Sequence, residues 1–261
     1  MVSDKQAGKV YLIGAGPGDP DLLTVKAARV LGQCDVVLYD RLVGPGILAL
    51  ARPDAELIYV GKHAGEQAHT QDRIFSLLLK HALPGKTVAR LKGGDPLVFG
   101  RGAEEWAIAL DYGIEVEFIP GVTSASAVPG LAGIPITYRE VSQSFTVITG
   151  HCSQGLHQAW ENYAKVDTLV VLMGVKNREF IAQSLIDAGR DAKQAVAFIE
   201  RGSTFEQRVV VSDLGSVARG EVEVWNPAVF VIGEVVRLRA KLMEPADVAD
   251  LAGELTDSAR M

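Results

Sequence analysis

Cysteine is almost absent from this 261-residue chain: only Cys34 and Cys152 occur, far apart and with no C-x-x-C spacing. That excludes a disulfide framework and a thiolate zinc site, and it fits a reducing compartment. Positive charge is also short, with 26 Lys and Arg against 32 Asp and Glu for a net charge of −6. Sequence-independent nucleic-acid binding needs a net basic face that releases phosphate counterions, so that class is excluded. Any anionic ligand must instead be met by cations gathered locally. Long apolar runs are missing too. The polar start MVSDKQAGK holds no hydrophobic segment of a secretion signal, and stretches such as Thr168 to Met173 fall far below membrane-spanning length. The expectation is a cytoplasmic protein with no nucleic-acid or membrane partner.

What is present is the composition of a globular protein. With 48% hydrophobic and 22% charged residues, disorder, collagen-like repeats and low-complexity scaffolds are excluded. The length fits one large or two modest domains, and no internal repeat of fixed period is visible. Glycine is in excess, 27 residues or about 10% of the chain against a usual ~7%.

The first half alternates short β-rich runs with helical patterns. Strands are expected at Lys9–Ile13, Asp35–Tyr39, Leu57–Val60, Thr87–Leu91 and Val116–Ile119, and helices at Leu22–Leu31, Ile47–Ala51, Gln71–His81 and Ala103–Leu110. This alternation predicts a parallel or mixed sheet covered by helices, and the near-continuous apolar strands match burial on both faces. Gly- and Pro-rich clusters follow several strands, where open α/β sheets bind ligands. Pro129, Gly130, Gly133 and Pro135 mark an interdomain segment. Beyond it, strands at Phe145–Thr149, Thr168–Met173, Ala195–Ile199, Arg208–Val211 and Val229–Ile232, with helices near Arg178–Ala188 and Asp213–Ala218, predict a second, mixed sheet. The expected domains are an N-terminal α/β domain over 1–134, a C-terminal α/β domain over 135–240, and a tail over 241–261.

The first strand runs into Gly14-Ala15-Gly16-Pro17-Gly18-Asp19-Pro20-Asp21. A dinucleotide fingerprint would need glycine where Asp19 stands, and a phosphate loop would need Gly-Lys-Ser/Thr. Pro17 and Pro20 remove two backbone donors, and Asp19 and Asp21 bring negative charge where a pyrophosphate would lie. The structural alternative is a tight turn in which Asp21 caps the helix from Leu22. Asp40, ending the second strand, stands where a dinucleotide enzyme keeps its ribose-binding acid.

A second loop, Lys92-Gly93-Gly94-Asp95-Pro96-Leu97-Val98-Phe99-Gly100-Arg101-Gly102-Ala103-Glu104-Glu105, follows the strand ending at Leu91. Adjacent glycines allow close backbone approach, and Asp95 offers a fixed carboxylate suited to an ammonium or sulfonium partner. Arg101 opens a helix with Glu104 and Glu105 in its first turn, where the helix dipole favours acids; helix-start electrostatics is therefore their structural alternative. His63, His69 and His157 lack metal-ligand spacing, so no metal is expected. The run His151-Cys152-Ser153-Gln154-Gly155 lacks the glycine at 151 that a nucleophile elbow requires. Trp106 and Phe99 read as core or cleft wall.

At these motifs the chain resembles the tetrapyrrole methyltransferases that use S-adenosyl-L-methionine. The resemblance is carried by GAGPGDPDLLT (Gly14–Thr24), YDRLV (Tyr39–Val43), VGK (Val60–Lys62), RLKGGDPLVFGRGAEE (Arg90–Glu105) and PGVTSASAVPGLAGIPIT (Pro120–Thr137). It continues in TGH (Thr149–His151), the LMG around Met173, and NPAVFVIGEVVRL (Asn226–Leu238), so that it spans about Val10 to Leu238 in order. It implies two α/β domains of the tetrapyrrole methylase type with the cofactor cleft between them, and a homodimer. Implied donor contacts fall on Pro17, Gly93, Gly94, Asp95, Val98, Thr123, Ser124, Met173, Gly202 and Ala228. Position 103 is Ala where Gly is frequent in the family, position 138 Tyr where His is common, and position 63 His where Arg is common.

Within the family the chain is most similar to members that methylate uroporphyrinogen III at C2 and C7, giving precorrin-2 by way of precorrin-1 and two S-adenosyl-L-homocysteine. That implies a place in porphyrin, siroheme and cobalamin biosynthesis. A methyltransferase for a later corrin precursor is the nearest alternative; a nucleotide-dependent oxidoreductase and a non-catalytic cofactor-binding regulator are the others. The length leaves no room for added dehydrogenase and chelatase modules, so the reaction is expected to stop at precorrin-2. Alignment of carbon, methyl and sulfur and exclusion of water are the main catalytic needs, followed by loss of a proton. The polycarboxylate acceptor calls for arginines: Arg41 and Arg101 are expected to bind it, with Glu104 and, from the second domain, His151. The resemblance assigns proton removal to Arg101, directly or in relay with Glu104 or the acceptor's own carboxylates.

Overall fold

A computed structural model describes residues 7–61, 71–151 and 159–243. Lys62, His63, His69, Cys152, the stretch 153–155, His157 and most of the 241–261 tail lie outside the described residues. The chain divides into two compact units. One holds the residues up to Val128 together with Glu200–Arg208; the other holds Pro129–Ile199 and the chain from Val209 onward.

In the first unit the described residues form a five-stranded sheet of β1 (Lys9–Gly14), β2 (Val36–Tyr39), β3 (Glu56–Tyr59), β4 (Val88–Lys92) and β5 (Glu115–Ile119), in the order β3-β2-β4-β1-β5. Every neighbouring pair is parallel. The connecting helices are α1 (Val25–Leu31), α2 (Pro45–Leu48), α3 (Gln71–Ala82) and α4 (Gly102–Asp111), and α5 (Ser124–Leu131) follows β5. Alternation along each strand feeds two hydrophobic layers. Ile13, Val37, Ala89 and Leu91 pack with Leu31 of α1 and Ile47 of α2 on one face. Val10, Val36, Leu38 and Val88 pack with Ile74 and Leu78 of α3 and Ala109 of α4 on the other. Burial on both faces is why β2 lacks a polar side.

One local expectation is corrected. Helix α1 starts at Val25, not Leu22: Asp19 Oδ1 accepts from the Asp21 N–H (2.9 Å) and caps a separate 3₁₀ turn over Pro20–Leu22. Thr24 Oγ1 then caps α1 by accepting from the Ala27 N–H at 3.2 Å. The segment from Pro129, read as an interdomain connection, starts where the second unit begins, and its first residues complete α5.

The second unit contains a mixed sheet of β6 (Phe145–Thr149), β7 (Thr168–Leu172), β8 (Ala195–Glu200), β9 (Arg208–Asp213) and β10 (Ala228–Ile232), in the order β6-β7-β10-β8-β9. Strands β6 and β7 are parallel, whereas β10 runs antiparallel to β7. Helices α6 (Arg178–Asp187), α7 (Leu214–Ala218) and α8 (Leu238–Met243) complete it. Its core gathers Leu169, Val171, Ile181, Leu185, Val196, Leu214 and Ile232 around Phe198 and Phe230, whose rings stack at 4.1 Å. No helix among the described residues is long and apolar enough to cross a membrane.

Phe230 is fully buried in that stack. Phe230→Ala is expected to lower the unfolding free energy by about 3–5 kcal/mol, read from chemical denaturation; a loss below about 1 kcal/mol would show that the stack does not anchor this core.

Candidate functional site

Because all five strands of the first sheet are parallel, their carboxyl ends share one edge, and the loops after β1, β2, β4 and β5 emerge there together. The β1 and β4 loops extend the pairing beyond the sheet. Ala15 N donates to Lys92 O (2.7 Å), Gly94 N to Gly16 O (2.7 Å) and Gly16 N to Gly94 O (3.2 Å). The β5 loop presses on both. A β-carbon on Gly121 would stand 2.2 Å from Gly94 O, and one on Gly14 would stand 2.4 Å from Gly121 Cα. Glycine here is a requirement of backbone contact.

Asp95 holds the junction closed. Its Oδ1 accepts from Leu97 N–H (2.8 Å) and its Oδ2 from Gly121 N–H (3.1 Å). The carboxylate read as a partner for a cationic ligand thus already braces two loops, with its remaining lone pairs left for a ligand. Next to it the backbone is strained: Phe99 and Arg101 adopt left-handed conformations, φ 54° and 59°. Non-glycine residues in this region cost about 1–3 kcal/mol each and cluster at functional sites. Leu97, Val98 and Phe99 expose apolar side chains on this loop.

Arg101 precedes α4 and forks onto Glu104, with Nε to Oε1 at 2.9 Å and Nη2 to Oε2 at 2.5 Å. This bond holds the Glu104 carboxyl below its ordinary pKa and raises that of Arg101, so both stay charged. Arg41 is exposed on the β2 loop, beside Asp40, whose Oδ1 accepts from Leu42 N–H at 3.1 Å. Thr123 Oγ1 accepts from Ala125 N–H at 3.3 Å, and Ser124 starts α5. Pro17 is half-buried in the β1 loop, where Asp19 N donates to Ser203 Oγ at 3.0 Å. That bond ties in Gly202, on which a β-carbon would stand 2.3 Å from Val128 Cγ1. Arg201 and Ser203, flanking Gly202, are left-handed as well.

In the second unit, His151, Met173 and Ala228 share one edge of the other sheet. Parallel β6 and β7 deliver Gly150-His151 and Met173-Gly174 to the same side, where a β-carbon on Gly150 would stand 2.4 Å from Gly174 Cα. The antiparallel register, Phe230 opposite Val171, carries the start of β10 at Ala228 to that side too. Met173 is half exposed and left-handed, φ 56°. Trp106, by contrast, stacks on Phe118 with ring centroids 6.1 Å apart.

One site feature escaped the sequence reading. Glu105 is no helix-start ornament: it is 1% exposed and accepts from Arg90, Lys92 and Gln71. The signal was two cations, Arg90 and Lys92, in an otherwise apolar central strand.

The first edge mixes polar groups with exposed apolar side chains. It offers half-buried hydroxyls, outward apolar side chains and space beside Gly94, where a β-carbon would lie 3.7 Å from the Ser124 amide. Gly121→Ala is expected to reduce unfolding free energy by about 2 kcal/mol or more, since backbone on both sides blocks the added carbon. Denaturation of the variant at parental stability would show that the loops do not meet this way.

Residues 9–218 match the family model of Tetrapyrrole (Corrin/Porphyrin) Methylases. The chain is 46% identical over 234 residues to uroporphyrinogen-III C-methyltransferase of Priestia megaterium, covering 88% of this chain and 98% of that protein. It is 51% identical over 242 residues to siroheme synthase of Azotobacter vinelandii, covering 91% of this chain but 52% of that one. The chain therefore spans about half the length of the siroheme synthases it matches. Among solved structures, uroporphyrin-III C-methyl transferase from Thermus thermophilus complexed with S-adenyl homocysteine is similar at 48% identity and a TM-score of 0.79, over 88% of this chain and 94% of that one. The chain belongs to the tetrapyrrole methylase family.

Proposed function

We propose that the chain is an S-adenosyl-L-methionine-dependent C-methyltransferase that methylates uroporphyrinogen III at C2 and C7, giving precorrin-2 via precorrin-1. The observation that carries this reading is the 46% identity extending over 98% of a uroporphyrinogen-III C-methyltransferase. It is supported by the loop chemistry, in which Pro17 and Pro20 remove amide donors and Asp19 and Asp21 add negative charge, disfavouring phosphate. When bound, the donor supplies a methyl group on a positively charged sulfur.

The chain's own residues bind, orient and exclude water. In the first unit, Pro17, Gly93, Gly94, Asp95, Val98, Thr123, Ser124 and Gly202 are the proposed donor contacts. In the second, the assignments are Met173 and Ala228 for the donor and His151 for the acceptor. Arg41 and Arg101 grip acceptor carboxylates, and Glu104 presets the Arg101 guanidinium through its two-bond fork. Arg101 stays protonated and so takes no proton itself; of the pair, only the ionised Glu104 has a lone pair that could accept one. The same reading takes the enzyme as a cytoplasmic homodimer whose substrates are small molecules, without a nucleic-acid or membrane partner.

Incubation of the full chain with S-adenosyl-L-methionine and enzymatically generated uroporphyrinogen III is expected to add two methyl groups, followed by mass and absorbance. Absence of a dimethylated product would reject the reading. Arg101→Lys, which cannot reproduce the planar fork, is expected to slow turnover by roughly 10²-fold, the scale of loss when a reacting group is held about 1 Å out of place. Both methylations at the parental rate would remove Arg101 from the mechanism.

A further inference from the structure

Arg90 and Lys92 stand two residues apart on the central strand β4, on the face covered by α3 and α4, and both are buried. Like charges so placed need an anion between them, and Glu105, from the first turn of α4, provides it. Its Oε1 accepts from Arg90 Nε at 3.2 Å, Lys92 Nζ at 2.8 Å and Gln71 Nε2 at 3.1 Å. Arg90 also donates through Nη1 to Leu91 O (2.9 Å) and Leu38 O (3.4 Å), and its Nη2 lies 3.8 Å from Asp40 Oδ2. Burial and the neighbouring Arg90 lower the Lys92 pKa, while Glu105 and Asp40 oppose them.

Stability alone is a poor reason for such a cluster, because apolar replacements of a buried ion pair are often neutral or stabilising. Glu105 Oε2 moreover has no hydrogen-bond partner among the described residues. What the cluster secures is geometry. Lys92 immediately precedes, and Glu105 immediately follows, the stretch 93–104 that holds Gly93, Gly94, Asp95, Val98, Arg101 and Glu104. One 2.8 Å contact clasps its two ends. Through Arg90 the same carboxylate reaches the β2 loop that carries Asp40 and Arg41.

We propose that the buried Lys92–Glu105 pair is a positioning clasp, which presets the 93–104 loop for the methyl donor before any ligand arrives. The proposal rests on the function given above.

The test is Lys92→Met in the full chain, which leaves Glu105 paired with Arg90. Hydrogen exchange, measured with and without S-adenosyl-L-homocysteine, is combined with calorimetric titration of that compound and steady-state kinetics. Without ligand, amides of 93–104 are expected to exchange at least tenfold faster, with those of β1 and β5 unchanged. The Kd for S-adenosyl-L-homocysteine and the KM for the donor are expected to rise tenfold or more, with kcat falling less, and Lys92→Arg is expected to recover most of the protection. Parental exchange across 93–104, or acceleration spread evenly over the first unit, would overturn the clasp. Should the methionine variant not fold, Lys92→Gln is judged by the same criteria. If the parent shows no protection by S-adenosyl-L-homocysteine, the functional reading falls, while the unliganded comparison still decides the clasp.

Discussion

Two glycines, Gly14 and Gly121, whose backbones meet each other and the Gly94 carbonyl with no room for a β-carbon, set the terms for the first unit. The loops after β1, β4 and β5 can converge only because no β-carbon stands in the way, and the Asp95 carboxylate then bolts the convergence by taking the Gly121 amide. Everything proposed for ligand contact in this unit hangs from that junction. The left-handed Phe99 and Arg101 are tolerated for the same reason: a loop pinned at its base can hold conformations that a free loop would relax.

Charge is deployed in two distinct ways. On the surface, Lys9 and Lys26 bridge Glu115 and Glu117 at 2.6–2.8 Å, and Arg219 pairs with Glu221 at 2.8 Å. Exposed pairs of this kind contribute little to stability. Inside, the Arg90–Lys92–Glu105 cluster trades stabilisation for defined distances. Arg41 and Arg101 stand out on an acidic protein as cations placed on loops at a sheet edge.

Most strands were legible in the sequence because burial on both faces leaves unbroken apolar runs such as Val36–Leu38 and Thr168–Leu172, and each expected strand falls within two residues of its observed limits. The glycine loops were legible as segments of close backbone approach, which Gly14 and Gly121 bear out. Less local features were not. Whether Asp19 or Asp21 caps a turn depends on which N–H each side chain reaches. The role of Glu105 depends on β4 lying beneath α4, a contact that no spacing rule encodes. Pro129 signalled a connection, and the second unit begins there, although α5 runs through it.

The short excursion Glu200–Arg208 belongs with the first unit although the chain reaches it only after building most of the second. Its Ser203 hydroxyl receives the Asp19 amide proton, and its Gly202 lies against Val128. On a ribosome elongating at about 5–20 residues per second, this last piece emerges roughly 4–15 s after Val128. The nascent first unit must wait that long, with the groups it will present to Ser203 and Gly202 uncovered. A fragment cut after Val128 would stay permanently in that unfinished condition, so the unit is one in space but not in the order of its synthesis.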